Sequence, residues 1–352
     1  AHMEVLFKFM LKYLNLTYEA LKEDIATTKS GSKEKYALVD TCLDCITNYV
    51  DWININYVLS HNYYLINTLL ELLKLGEENR EEQDMLCITA SKCLIQLLNR
   101  KGKPEERQPL LGLFNDFCIK QIFSCKKTSL GKSNGSNSSN SHMNISYLVQ
   151  IWIGMGMQLS ALWTTTEFER PAQLSIYLSA ISEFTISENK VYSYEALQLW
   201  NSLLNNKFIM HDETIKEFLI NLAANLPNTH LLFRITSKNM INIMTSMLNN
   251  EEFDSDEEEI QKFFQKYANE LASFLKKSAG MYLQPYLSTA FEWTMKILAD
   301  TDKFNAQTKL DSASYDSSSY LYLNWDALLY LWSNLMQTVN KMIIIILFFY
   351  QY

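Results

Sequence analysis

The chain has 352 residues, of which 48% are hydrophobic and 20% charged, and its formal net charge is -8. That supplies enough apolar surface for a large buried core, and the acidic balance excludes a grip on nucleic acid by bulk basic charge alone. With only 9 Gly and 5 Pro, the frequent tight turns of a β-sandwich or barrel are excluded too, and all-α is the economical reading.

Taken in chain order, Ala1-His2-Met3 reads as a foreign lead before a native segment starting near Glu4. Residues 1 to 30 are charged throughout and hold no secretory signal. Helical periodicity predicts helices over 4–24 and 34–51. In Thr41–Val58, the residues Cys42, Cys45, Ile46, Tyr49 and Val50 are spaced to share one helical face. Trp52 and Ile53 then fall where the chain must turn, as an apolar wedge between packed helices. Further helices are predicted over 62–75 and 81–99. Over 109–123, Leu110, Leu113, Phe114, Phe117 and Phe123 fit one side of a helix that begins at Pro104 and Pro109. The segment 126–143 is rich in Ser, Asn and Gly; it cannot bury apolar surface and is expected to be a disordered loop.

Beyond it, helices are predicted over 144–163, 171–186, 191–205, 231–248, 281–299 and 321–339. The clearest periodicities are in 211–226, with Ile215, Phe218, Leu219, Leu222, Ala223 and Leu226, and in 263–275, with Phe263, Phe264, Tyr267, Ala268, Leu271, Phe274 and Leu275. Two polar connectors, Thr27–Lys35 and Ala306–Ser319, interrupt the rhythm without ending it. The apolar run Met342–Tyr350 is too short to span a membrane, which takes about 20 residues. It reads as a terminal tail, 342–352, of doubtful origin. The rest, 4–341, forms one array of six to seven helix pairs. The pair spacing is near that of HEAT or armadillo repeats, roughly 40–47 residues. A HEAT-type, armadillo-like α-solenoid follows: pairs stack in a row and offer a long surface to a partner.

Sites for chemistry are scarce. Cys42-Leu-Asp-Cys45 has neither a βαβ setting for redox work nor a second ligand pair for zinc. The six cysteines read as reduced, buried thiols of an intracellular protein. Gly131-Lys132-Ser133 would need a glycine at Lys126 to be a phosphate loop. The five histidines form no metal or catalytic pattern, so no enzyme and no cofactor are expected. Two charged clusters remain. The acidic stretch Glu251–Glu259 precedes a helix. Ser255 and Glu258 suit a capping box there, while Asp254, Asp256, Glu257, Glu258 and Glu259 suit a basic partner surface; Ser255 also fits an acidophilic kinase. The basic set Arg100, Lys101, Lys103 and Arg107 surrounds a turn and suits phosphates or an acidic partner.

Several of these segments resemble the exportins of the importin-β (karyopherin) superfamily. The likeness lies in Asn99-Arg-Lys-Gly-Lys-Pro-Glu-Glu-Arg-Gln-Pro-Leu-Leu-Gly-Leu-Phe114 and in Phe253-Asp-Ser-Asp-Glu257 ahead of Phe263-Phe264. It extends to the turn Tyr49-Val-Asp-Trp52 and the aromatic helix around Trp325, in the family's order over Glu4–Gln337. The resemblance implies a HEAT-repeat nuclear export receptor without catalytic residues. It implies partners: the GTPase Ran in its GTP form, hairpin or double-stranded RNA such as microRNA precursors, and nucleoporins, with shuttling between nucleus and cytoplasm and no membrane. It also implies an internal segment of the N-terminal half, lacking the first repeats, which hold Ran in this superfamily. On this reading the basic cluster contacts RNA or an acidic partner and the acidic one contacts Ran. A protein-cargo karyopherin or a generic HEAT scaffold is the alternative.

Overall fold

The computed structural model describes residues 2–28, 31–75, 81–131, 139–163, 165, 169–187, 189–229, 257–307 and 320–350. Every regular element among them is helical. We number the α-helices α1 (His2–Thr28), α2 (Lys33–Thr47), α3 (Ile55–Val58), α4 (Ser60–Leu75), α5 (Glu81–Leu98), α6 (Pro104–Arg107), α7 (Asp116–Gly131), α8 (Ser139–Leu162), α9 (Leu174–Thr185), α10 (Lys190–Asn205), α11 (Glu213–Thr229), α12 (Glu257–Met281), α13 (Leu283–Gln307) and α14 (Tyr320–Tyr350). Short 3-10 turns cover Gln108–Phe114 and Ile209–His211.

Asparagine and aspartate, rather than Gly and Pro, punctuate this chain. The Asn54 carboxamide oxygen accepts from Asn56 N at 2.9 Å and that of Asn189 from Val191 N at 2.9 Å. Asn115 Oδ1 accepts from Cys118 N at 2.8 Å and Asp212 Oδ1 from Thr214 N at 2.9 Å. Each satisfies a helix-start donor that would otherwise lack a partner. At Gly31 the backbone φ is +69° and an added Cβ would come 2.9 Å from the Tyr36 ring, so the α1–α2 connector needs glycine.

The chain divides into two units, Ala1–Ala180 and Ile181–Tyr352, with α9 starting in the first and ending in the second. In the first unit α2, α5 and α8 lie side by side, α4 lies beside α7, and α1/α2, α4/α5 and α7/α8 form the pairs. Polar rungs join successive pairs: Tyr18 donates to Glu71 at 2.9 Å, Thr89 to Asp40 at 2.6 Å and Gln83 to the Tyr36 hydroxyl at 3.1 Å. The second unit repeats the scheme. There α10, α12 and α14 follow one another in one layer, α11 lies on α13 in the other, and α13 touches both α12 and α14. The end of α9 is tied to α10 where Trp200 Nε1 donates to Thr185 Oγ1 at 2.9 Å. This is the HEAT-type, all-α arrangement expected from the repeat rhythm. The 3.6-residue reading holds closely for α11 and α12, where Ile215, Leu219, Leu222, Leu226, Tyr267, Leu271, Phe274 and Leu275 are all buried.

Elsewhere the structure corrects the reading. The helix expected over 34–51 stops at Thr47, and its core face is Tyr36, Val39, Leu43 and Ile46, with Val50 in the turn. That face leaves Cys45 exposed and Cys42 half-buried. Ile53 is the wedge, buried, whereas Trp52 is 56% exposed and its indole N–H donates to Asn48 O at 3.0 Å. The helix expected over 109–123 is broken at Asn115, whose extended backbone and capping side chain start α7 afresh. The new register buries Cys118, Ile119 and Ile122 and turns Phe117 outward. Most of the supposed loop 126–143 belongs to α7 and α8, and the apolar run 342–350 forms the last turns of α14. The helix expected over 231–248 lies outside the described residues. Among the described residues one helix, α8, is long and apolar enough to cross a membrane, but 61% of its apolar window is buried inside the protein, with Trp152 fully enclosed.

Two helices carry an exposed apolar stripe besides their buried one: Phe9, Tyr13 and Leu16 on α1, and Phe291, Met295 and Leu298 on α13. Contiguous apolar surface of this kind drives association. The 352-residue chain by itself is expected to elute above monomer mass, and Phe9→Glu with Phe291→Glu should move it toward the monomer. Unchanged light-scattering masses would show that these stripes are inert.

Candidate partner-binding surfaces

The basic cluster predicted from sequence is split by the fold. Arg100, at the end of α5, is 9% exposed. Its guanidinium donates to the carbonyl oxygens of Val50, at 2.6 Å, and of Ile53. These carbonyls belong to the turn after α2, so Arg100 fastens the second helix pair to the first. Burial pulls its pKa below the ordinary arginine value, against the opposing pull of the Asp51 and Glu106 carboxylates. A group sunk among carbonyls is not on offer to a partner, which removes Arg100 from the contact set. Arg107 is half-buried and also engaged: Nε donates to Gly102 O at 3.1 Å and Nη1 to Gln158 Oε1 at 2.9 Å. Lys101 and Lys103 alone are exposed. Between them Gly102 has φ +136°, which a side chain would rarely adopt.

Gln158 of α8 was not singled out from the sequence. It is 6% exposed, and its Nε2 donates to Leu98 O and, at 3.2 Å, to Arg100 O. The only sequence signal was a glutamine following the apolar run Ile151–Met157.

The acidic cluster divides differently. Asp254, Asp256 and the proposed cap Ser255 lie outside the described residues. Glu257 opens α12, and Glu258 and Glu259 are exposed on its first turn. There the helix dipole favours negative charge. Glu258 reaches Lys262 at 2.7 Å, an i,i+4 pair, open to solvent and therefore weak.

Burial pushes the Cys87 and Cys93 thiols up to about 12, which leaves them protonated and inert. Among the described residues no three His, Cys, Asp or Glu side chains are grouped to hold a metal ion. An open cleft of about 870 Å³ lies in the first unit, lined by Pro104, Glu105, Gln108, Phe114, Leu162 and Arg170 among others. One of its carboxylates, Asp116, is already paired with Lys120 at 2.6 Å. A nucleophile, a base and an orienting group do not converge there.

Two measurements check this assignment. Arg100→Met should lower unfolding stability by about 2–3 kcal/mol, since two buried carbonyls lose their donors, while Lys101→Ala should change it by less than about 0.5 kcal/mol. Equal urea midpoints would refute the structural role of Arg100. In alkylation at pH 8, Cys45 should react first and Cys87 and Cys93 only on unfolding; comparable rates at all three would contradict the burial described.

Comparison with known proteins fits this picture of a binding scaffold. Residues 1–94 match the family described as Exportin 1-like protein. Over 323 residues, 90% of the chain, the sequence is 24% identical to exportin-5 of Homo sapiens. Over 352 residues, 97% of the chain, it is 22% identical to exportin-5 of Mus musculus. A stretch of 108 residues, 30% of the chain, is 26% identical to exportin-T of Saccharomyces cerevisiae and covers 8% of that protein. The chain spans 25% and 28% of the human and mouse exportin-5 sequences, about a quarter of their length. The chain is thus similar to exportin-5 along nearly all of its sequence, and its first 94 residues match an exportin family.

Proposed function

We propose that this chain is part of a nuclear export receptor of the exportin-5 type, an internal segment of its N-terminal half. In this reading the receptor binds hairpin or double-stranded RNA, such as microRNA precursors, together with Ran-GTP. It passes nucleoporins and shuttles between nucleus and cytoplasm. The observation that carries the reading is similarity to exportin-5 spread over 90% or more of the chain rather than confined to one repeat. The helix-pair architecture agrees with it, because stacked pairs present surface rather than an enclosed reaction site. A-form RNA suits such a surface, being recognised through its backbone and shape. Lys101 and Lys103 are the proposed phosphate contacts in the basic cluster. Asp254, Asp256, Glu257, Glu258 and Glu259 are the proposed contact for a basic face of Ran or another protein.

A second reading, protein cargo in place of RNA, is favoured by the net charge of -8. One pair of experiments separates the two. Full-length protein should be captured by Ran loaded with GTP and not with GDP. Its affinity for a hairpin RNA in that complex should fall steeply with salt, since each phosphate contact contributes a log–log slope of about -0.7 to -0.9. Ran-GTP dependence with no hairpin binding would transfer the assignment to protein cargo. Indifference to the nucleotide would reduce the chain to a generic HEAT scaffold.

A further inference from the structure

We infer that Gln158 and Arg107 are positioning residues: they clamp the loop after α5 so that Lys101 and Lys103 stand out together as a contact pair for RNA backbone phosphates. This rests on the RNA reading given above.

Three carbonyls of one short segment are captured by side chains from beyond it. Leu98 O and Arg100 O accept from Gln158 Nε2, and Gly102 O accepts from Arg107 Nε at 3.1 Å. The two clamping groups are locked to each other at 2.9 Å through Arg107 Nη1 and Gln158 Oε1. Gln158 comes from α8, the third helix pair, and is almost wholly enclosed. The clamp is thus anchored in the core rather than on the loop. Arg100 adds a third fastening below, to Val50 and Ile53. An exposed loop of this length ordinarily keeps much of its freedom; this one has its backbone held at alternate carbonyls.

What the held loop presents is two exposed ammonium groups, neither of which forms an ion pair among the described residues. Side chains on a fixed backbone lose less freedom when they bind, so preorganisation raises affinity without adding a contact. The neighbouring carboxylates are Glu105 and Glu106 on α6, both exposed. They work against an anion, which yields a signed test of the partner's charge.

The test uses full-length protein with Ran-GTP and a hairpin RNA, titrated by filter binding over a range of salt. Lys101→Gln with Lys103→Gln should weaken binding and flatten the log–log salt slope by about 1.5, the loss of two phosphate contacts. Gln158→Leu should weaken binding several-fold at an unchanged slope, because no phosphate contact is itself removed. Arg107→Gln, at a half-buried position where folding is safer, should do the same, and Arg107→Lys should restore part of the loss. Glu105→Gln with Glu106→Gln should tighten binding; weakening would point to a basic protein at this loop and overturn the proposal. A readout free of RNA is tryptic nicking after Lys101, expected to quicken in Gln158→Leu and Arg107→Gln. Unchanged nicking would overturn the clamp even if RNA binds. A flattened slope in Arg107→Gln would make that arginine a contact and not a positioner. Faster nicking with no hairpin bound by the unaltered protein would sink the RNA reading and the contact pair with it, while leaving the clamp visible.

Discussion

A helix pair of this kind cannot bury its own apolar faces, and the structure follows from that constraint. Each helix has more apolar surface than one partner can cover, so stability comes from stacking on the next pair. Leu43, Ile46, Leu69, Leu97 and Trp152 in the first unit, and Trp200, Leu219, Phe274 and Tyr286 in the second, are closed off from solvent only because a neighbouring pair lies over them. The polar rungs between pairs add register to an otherwise non-directional force. Tyr18 on Glu71, Thr89 on Asp40 and Arg100 on the carbonyls after α2 allow one relative placement of the helices they join.

That constraint also decides what the molecule can do. A stacked array spends its buried residues on neighbours and leaves long outer helix faces and inter-pair loops for partners. Four of the six thiols go to the core as small apolar groups, and the cleft lined by Pro104, Glu105 and Phe114 gathers no reacting set. The loop after α5 shows how order and display are divided. Arginines that look equivalent to the nearby lysines in the sequence are turned to holding the backbone, which suits a fork of planar donors matched to carbonyls. Lysines are left outside, where a mobile, hydrated point charge suits phosphate or carboxylate partners.

The overall acidity need not conflict with an RNA partner. Charge acts locally once screened beyond about 8–10 Å, so the total charge does not set the field at one loop.

The amino-acid sequence by itself determined the helical class, the pair rhythm and the buried faces of α11 and α12. Those depend on residues three and four apart, and a 3.6-residue period writes them directly into the chain. Tertiary structure decided everything that turns on which neighbour arrives. Trp52 is outside and Ile53 inside, Cys45 faces water, and Asn115 rather than Pro109 begins the helix that carries Cys118. Above all, only the fold could separate Arg100 and Arg107 from Lys101 and Lys103. In sequence they are one basic cluster; in space Val50, Ile53 and Gln158 come from 47 to 51 positions away and claim the arginines. Hydrogen-bond acceptors brought in by long-range packing leave no mark on local periodicity.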